Sequence, residues 1–216
     1  ATPTMAPTQL RVVPASLATA RGAVCLDGSP PAYWYQPPGP QSATDNVSWL
    51  IHLDGGAWCY DERDCAGRAR SEKGSSKSLK RRYWPYSGLL DGNAAVNPTF
   101  AGFHRVNLAY CDGSSFTGDR AEPVVTASGE KLYFRGKRVL AFLLDELLAA
   151  GLRHARRLLW VGGSAGGPGA LHGYSLLSER LGAQLETFKV ALVSGWFLLR
   201  PPAPSTSATS STSLLA

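Results

Sequence analysis

One short segment, Gly162-Gly163-Ser164-Ala165-Gly166, has the pattern Gly-x-Ser-x-Gly and joins two stretches of different periodicity. Residues 157–161 before it are typical of a compact strand, and residues 165–181 after it are typical of a helix. A strand that passes directly into a helix needs a sharp, strained turn, and small residues two positions either side of the serine avoid collisions there. The sequence therefore predicts that Ser164 stands clear of a sheet at the N-terminus of a helix.

The rest of the chain alternates in the same way. An apolar stripe predicts a helix over residues 136–151, with Gly151 just past its end. Strands that alternate with helices predict an α/β fold, here a three-layer sandwich of the α/β-hydrolase type with a mostly parallel central sheet. Strands of this sheet are expected at residues 47–53, 103–110, 157–161 and 190–193.

Three regions follow from this pattern. Residues 1–22 form an N-terminal arm in which 10–13 are an edge strand or a loose segment, and residues 23–199 form a partial hydrolase domain. Residues 200–216 are almost entirely Pro, Ala, Ser and Thr, so we expect this tail to be disordered. The sheet is expected to be incomplete on its C-terminal side, leaving an apolar edge near Val193.

Composition restricts the partners. The net charge is +6, and basic residues are densest between Arg68 and Arg82. This cluster indicates either attraction to an anionic partner, such as an acidic polysaccharide, or a solvated surface. No nucleic-acid-binding motif accompanies it, so nucleic acid is not expected as a partner. No apolar run reaches the length of a membrane span, and we expect a monomer.

The four cysteines contain no Cys-x-x-Cys pair, which argues against a zinc site. Cys59 and Cys65 flank a polar stretch that suits a small disulfide-closed loop, leaving Cys25 to pair with Cys111. An N-glycosylation sequon begins at Asn46. An even cysteine count with a sequon favours a secreted, extracellular protein, the alternative being four free thiols in a cytosolic one.

The predicted turn has the chemistry of a serine hydrolase. Ser164 would be the nucleophile, and the helix dipole with the N–H of Ala165 would favour a developing oxyanion. A second glycine turn, Asp54-Gly55-Gly56-Ala57-Trp58, follows an earlier strand, where hydrolases of this fold carry their other oxyanion donors. The N–H groups of Gly56 and Ala57 are the candidates; the alternative is an ordinary turn at a strand end.

Several segments resemble the pectin acetylesterase family, which also contains the Notum-type lipid deacylases. They are residues 23–29, 52–59, 110–116, 134–136, 145–148 and 163–167, in the order of the family and within a match from about Ala23 to Leu198. The segment 131–136 and the Cys-Asp-Gly-Ser-Ser-Phe sequence at 111–116 favour the plant branch.

The resemblance implies a secreted serine esterase with a Ser–Asp–His triad that needs no metal or organic cofactor. It implies Ser164 as nucleophile, the N–H groups of Gly56, Ala57 and Ala165 as the oxyanion hole, and the disulfides Cys25–Cys111 and Cys59–Cys65. The substrate pocket would be lined by Trp58, Trp196 and Phe197.

The chain departs from the family pattern at Val193 and again beyond the segment 194–197. Val193 stands where the family usually has Asp, and the triad Asp and His of the family lie beyond the segment 194–197, where this chain has its Ser/Thr/Pro tail. The four histidines offer no evident base: His52 fits a strand, and His104 and His154 fit the surface. His172 lies eight residues after Ser164 on one helix, about 12 Å along the axis.

The sequence thus predicts a C-terminally truncated acetylesterase acting on acetylated cell-wall polysaccharide (pectin). Two alternatives remain open at this point. One is a binding protein that keeps the pocket and lacks the base. The other is a Notum-like deacylase of a lipidated protein, which would require a deep apolar pocket.

Overall fold

A computed structural model describes residues 7–38, 47–79, 87–195 and 197. The predicted glycosylation site at Asn46, the pocket residue Trp196 and the tail 200–216 lie outside these residues. The helices are α1 Ala15–Ala20, α2 Glu62–Ala69, α3 Gly136–Ala149 and α4 Gly166–Leu181. The strands are β1 Gln9–Val12, β2 Ala32–Gln36, β3 Ser48–Leu53, β4 His104–Leu108, β5 Val124–Val125, β6 Lys131–Leu132, β7 Arg157–Gly163 and β8 Thr187–Val193.

The main sheet has the order β1-β2-β4-β3-β7-β8, and β4, β3, β7 and β8 run parallel. The first two strands are antiparallel additions at one side. Leu53 at the end of β3 lies opposite Leu108 of β4 and Gly162 of β7. The carboxyl ends of three parallel strands therefore meet at one edge of the sheet, which is where α/β folds carry their sites. The prediction of a mostly parallel α/β fold is confirmed.

Burial explains why the central strands are nearly continuous in apolar residues. Residues 49–51 of β3 are at most 1% exposed, as expected for a parallel strand covered on both faces. Helix α3 contributes a broad buried stripe, which includes Leu140, Leu143 and Leu147. Helix α4 approaches the sheet closely, since a Cβ added at Gly173 would lie 2.5 Å from the Trp160 ring. Within the described residues, no helix is both long and apolar enough to cross a membrane.

Two short helices differ from the sequence-based interpretation. Helix α1 lies in the arm where only a strand or a loose segment was expected. Helix α2 begins inside the Cys59–Cys65 loop, because the side chain of Asp61 accepts a hydrogen bond from the N–H of Asp64 at 2.8 Å and caps the helix. Capping by Asp61 and the acidic first turn outweigh the polar composition that indicated a loop.

The prediction that His104 lies on the surface is wrong. Its ring stacks on Trp49 with centroids 4.4 Å apart, and its Nδ1 shares a hydrogen bond with the Tyr35 hydroxyl at 2.7 Å. The register of the parallel pair sets His104 directly opposite Trp49. The first residue of a buried strand is thereby drawn into an aromatic cluster.

The expected apolar edge is present at β8. In the described part of the chain β8 is the last strand of the sheet, and Val190, Leu192 and Val193 are 37%, 43% and 49% exposed. Leu171 and Tyr174 of the adjacent α4 are also exposed. This side of the sheet differs sharply from the buried strands β3, β4 and β7.

Candidate active site

Ser164 occupies the turn between β7 and α4 and is exposed to solvent. Its φ is +49°, a left-handed conformation that is strained for a non-glycine residue. Glycine is required on both sides: a Cβ at Gly162 would lie 2.6 Å from the Gly166 carbonyl oxygen, and one at Gly166 would lie 2.3 Å from that of Leu53. The strained strand-to-helix turn expected from the sequence is therefore the local structure around Ser164.

Backbone hydrogen bonds fix this turn in place. The N–H of Ser164 donates to the Val193 carbonyl at 2.8 Å, and the N–H of Gly167 donates to the Ser164 carbonyl at 2.9 Å. Ala165 precedes the first residue of α4, where helix N–H groups have no partner within the helix. Its N–H thus belongs to the positive end of the helix dipole.

The second glycine turn lies directly against Ser164. We call residues 54–58 the oxyanion loop, after the role that the sequence predicts for them. A Cβ added at Gly55 would lie 2.4 Å from the Gly163 carbonyl oxygen and 2.9 Å from Cβ of Ser164. Gly56 and Ala57 have φ of +145° and +57°. The two glycine-rich turns, 109 residues apart between Gly55 and Ser164 in the sequence, are therefore brought into contact.

Side chains from outside hold the oxyanion loop. Arg68 on α2 donates from Nη2 to the carbonyl oxygens of Gly56 at 2.5 Å and Ala57 at 3.0 Å. Lys73 pairs with Asp54 (Nζ–Oδ2 2.5 Å), and its aliphatic stem covers Gly56. These two members of the basic cluster are engaged within the protein, a role that neither interpretation of the cluster foresaw.

A sequence signal for Arg68 existed. Once Cys59 and Cys65 are joined, the helix that starts after Asp61 is tied to the oxyanion loop, and Arg68 lies three residues beyond Cys65. Residues three apart share a helix face. A basic side chain at this spacing was positioned to reach the loop carbonyls.

Two aromatic side chains stand exposed near this edge. Trp58 and Phe197 are 39% and 38% exposed, and their ring centroids are 4.7 Å apart. The indole Nε1 of Trp58 donates to the hydroxyl of Ser115. Gly195 packs against Gly167 at the start of α4, so Gly195 lies next to the Ser164 turn.

The turn that carries Ser115 is built around a buried carboxylate. Asp112 is fully buried and accepts hydrogen bonds from the N–H groups of Ser114 at 3.0 Å and Phe116 at 3.2 Å, and from the Ser114 hydroxyl. Burial raises the pKa of Asp112, and these hydrogen bonds oppose the rise. Ser115 and Phe116 both have positive φ. Asp112 thus stabilises the strained turn that presents the Ser115 hydroxyl to Trp58.

Both expected disulfides are present. Cys25–Cys111 and Cys59–Cys65 each have a Cα separation of 5.0 Å. The first ties the residues before β2 to the end of β4, and the second ties the oxyanion loop to α2. Both therefore restrain loops close to the carboxyl edge of the sheet.

None of the four histidines, all described, is hydrogen-bonded to Ser164. His52 donates through Nδ1 to Asn107 Oδ1 at 2.7 Å, and its Nε2 lies against Gly163. In the sheet, Trp49 lies opposite both His104 and Leu158. Leu158 precedes Ser164 on β7, so His104 lies about 20 Å from Ser164 along the strand direction. His154 is exposed before β7. Burial lowers the pKa of His172, whose Nε2 has no hydrogen-bond partner.

Comparison with known proteins identifies the family of this chain. The family model for pectinacetylesterase matches residues 5–213. Pectin acetylesterases 11 and 7 of Arabidopsis thaliana are 43% and 44% identical over 154 residues, covering 71% of this chain and 38% of each relative. The palmitoleoyl-protein carboxylesterase NOTUM of Schmidtea mediterranea is 32% identical over 187 residues, covering 82% of this chain and 33% of the relative.

The chain spans between 33% and 38% of the length of these relatives. Within that span, the names of the relatives all denote carboxylic ester hydrolases. The match of the family model covers almost the whole sequence and includes both glycine turns. The chain therefore belongs to the pectinacetylesterase family.

Proposed function

We propose that this chain is the nucleophile-bearing part of a secreted serine esterase that removes acetyl groups from pectin. The observation that carries the proposal is the packing of the oxyanion loop against Ser164, with Gly55 in contact with the serine side chain. A left-handed serine between a parallel strand and a helix provides the exposed hydroxyl. The plant relatives, named as pectin acetylesterases, support the choice of substrate.

The chemistry follows from this arrangement. Ser164 Oγ attacks the acetyl carbonyl carbon while a base takes its proton, and the oxyanion accepts hydrogen bonds from the N–H groups of Gly56, Ala57 and Ala165. Collapse of the tetrahedral intermediate breaks the bond to the sugar oxygen, which receives the proton. Water then hydrolyses acetyl-Ser164, releasing acetate and restoring the hydroxyl. Trp58 and Phe197 would contact the sugar rings beside the scissile ester.

The proposal places the base and its carboxylate partner outside these 216 residues. His104 lies at the other end of the sheet, and His52 is bound to Asn107. His154 precedes β7, and His172 lies eight residues after Ser164 within α4. The plant relatives contain a large additional portion from which a base can come. A serine without a base is a weak nucleophile at neutral pH, so we expect the chain by itself to be slow.

The secreted setting rests on separate support. Two disulfides link the loops around the site, and such bonds persist in oxidising compartments. We therefore propose that the protein acts outside the cell, at the cell wall.

A second candidate function is recognition of acetylated polysaccharide without turnover. It is favoured by one observation, the lack of a hydrogen bond between Ser164 and any histidine of the chain. Recognition would use the same aromatic wall and the same N–H groups. The two functions differ in whether Ser164 becomes acylated.

Turnover of p-nitrophenyl acetate separates them. The 216-residue chain is compared with a chimera in which the C-terminal part of Arabidopsis pectin acetylesterase 11 follows residue 199, with Ser164→Ala as the baseline of each. We expect the chimera to be at least about a thousandfold faster than the chain, and to fall to the baseline when Ser164 is replaced.

Each other result has a definite meaning. Equal, Ser164-dependent rates in both forms would show that a base lies within the chain, and His52 and His172 would then be replaced in turn. If neither form shows Ser164-dependent turnover, the hydrolase proposal is wrong and recognition without turnover is favoured. A panel of p-nitrophenyl esters of increasing acyl length tests the choice of acetate over a long acyl chain.

A further inference from the structure

We infer that Arg68 is a positioning residue that fixes the direction of the N–H groups in the oxyanion loop. This inference rests on the proposed function, because it assigns Arg68 a part in stabilising the oxyanion. The same guanidinium nitrogen, Nη2, donates to the carbonyl oxygens of two consecutive residues, Gly56 and Ala57. A single side chain thereby holds two consecutive peptide groups.

The direction of each N–H follows from peptide geometry. A trans peptide is planar, and its C=O and N–H point in opposite directions. The described part of the chain contains no cis peptide bond. The carbonyl of Gly56 points to Arg68, so the N–H of Ala57 in the same peptide points away from it. The carbonyl of Ala57 fixes the N–H of Trp58 in the same way.

The loop needs such a restraint. Gly56 at φ +145° and Ala57 at φ +57° both have conformations that are rare for residues with side chains. The peptide joining Gly56 to Ala57 rotates about ψ of Gly56 and φ of Ala57, and a rotation that takes Ala57 to negative φ would relieve its strain. Rotation by half a turn would replace the N–H of Ala57 with a carbonyl oxygen and place an acceptor where a donor is required.

Arg68 is itself held in place, which a positioning residue requires. Its Nε donates to the Lys73 carbonyl at 3.2 Å, and its guanidinium lies 5.1 Å from the centre of the Tyr110 ring. Helix α2 is joined to the loop by Cys59–Cys65. Lysine cannot reproduce this arrangement, because an ammonium lacks the planar fork that donates in three directions while stacking on a ring.

Arg70 provides a matched control. It lies two residues further along the same chain, is exposed, and pairs with Glu130 at 2.6 Å. None of its described contacts involves the oxyanion loop. An Arg70→Met variant therefore removes an equal charge and a surface ion pair without altering the carbonyl contacts.

The first measurement is structural and uses the 216-residue chain. Residual dipolar couplings of ¹⁵N-labelled protein report the direction of the Ala57 N–H in the parent chain and in Arg68→Met, Arg68→Lys and Arg70→Met. We expect one fixed direction in the parent chain and in Arg70→Met. In Arg68→Met the coupling should change or the Ala57 signal should broaden, and Arg68→Lys should be intermediate.

The second measurement is kinetic and uses whichever form, chain or chimera, shows Ser164-dependent turnover of p-nitrophenyl acetate. Arg68→Met should lower kcat by about 10- to 100-fold with little change in KM, since the loss of one oxyanion donor acts on the transition state. Free guanidinium should restore part of the rate, which a purely structural defect would not allow.

An unchanged Ala57 N–H direction in Arg68→Met overturns the inference whatever the rate. An equal loss of kcat in Arg70→Met overturns it too. If no form shows Ser164-dependent turnover, the proposed function fails, and the N–H direction alone decides whether Arg68 positions the loop.

Discussion

The Ser164 turn and the oxyanion loop lie in contact, yet they are stabilised in different ways. The Ser164 turn is held by backbone hydrogen bonds and by glycines that allow β3, β7 and α4 to approach closely. The oxyanion loop is held by side chains from elsewhere, chiefly Arg68 and Lys73. The Ser164 turn depends on glycines that leave room for close backbone packing, and the oxyanion loop depends on ion pairs and side-chain hydrogen bonds. Substitutions and pH should therefore affect the two differently.

Among single substitutions, the largest expected effect comes from filling the space at the turn. In Gly166→Ala the new Cβ would lie 2.3 Å from the Leu53 carbonyl oxygen, so backbone must move. We expect the free energy of unfolding to fall by about 3 kcal/mol or more, the upper range of overpacking. Urea denaturation measures this change.

Gly182→Ala is the control for that substitution. Gly182 lies just past α4 at φ −52°, and no atom lies within 4 Å of an added Cβ. Its unfolding free energy should change by less than about 1 kcal/mol, and in the stabilising direction. Equal losses in the two variants would contradict the view that close packing of backbone maintains the turn.

The Cys59–Cys65 disulfide should affect the loop more than the turn. Its sequence separation is 6, against 86 for Cys25–Cys111. Replacing both Cys59 and Cys65 by Ser should cost about 2 kcal/mol in unfolding free energy, and the same replacement at Cys25 and Cys111 about 4–5 kcal/mol on the loop-entropy model.

Amide hydrogen exchange locates the effect. With Cys59 and Cys65 replaced, exchange at Ala57 and Trp58 should accelerate, whereas exchange at Ser164 and Gly167 should stay as in the parent. Uniform acceleration across both segments would show that the disulfide stabilises the whole domain and not the loop in particular.

The smallest expected effect is a response to acid. Burial raises the pKa of Asp27, but hydrogen bonds from Ser29 and Ser75 and the charge of Lys77 outweigh it, so the pKa lies below its usual value. Asp27 anchors the segment that carries Lys73 through two hydrogen bonds. The Ser75 hydroxyl donates to the Asp27 carboxylate at 2.7 Å, and the N–H of Asp27 donates to the Gly74 carbonyl.

A carboxylate with a lowered pKa stabilises the folded state above its unfolded pKa of 3.8. This stability is lost as the pH falls through the lower, folded pKa. We expect the free energy of unfolding to fall as the pH drops below 3.8, and amide exchange to accelerate at Ala57 before Gly167. Asp27→Asn should remove this dependence, and an unchanged pH profile in that variant would contradict the assignment.

Much of the fold could be predicted because its signals are local. The helix expected over residues 136–151 is α3, and the strands expected around residues 47–53 and 157–161 are β3 and β7, within a few residues at each end. Burial in a parallel sheet requires continuous apolar runs, which are visible in the sequence. His104 was misplaced because its burial depends on Trp49, a residue of the neighbouring strand.

The sequence by itself determined the Ser164 turn. A strand that passes straight into a packed helix requires small residues two positions before and after the turn residue, and Gly162 and Gly166 fill these positions. The strained turn can therefore be recognised from a few adjacent residues. The pairing of Cys59 with Cys65 and the alternation of the main strands and helices were predicted in the same way, from spacing and periodicity.

Only the tertiary structure decided how the oxyanion loop is held. Arg68 and Lys73 lie in the basic cluster, for which a solvated surface was one interpretation, and Asp27 lies in a separate segment. The partners of these three residues are 12, 19 and 48 residues away. Hydrogen bonds of this kind depend on the direction in which side chains and carbonyl groups point. That direction is set when α2 and the sheet pack together, and no local pattern of residues encodes it.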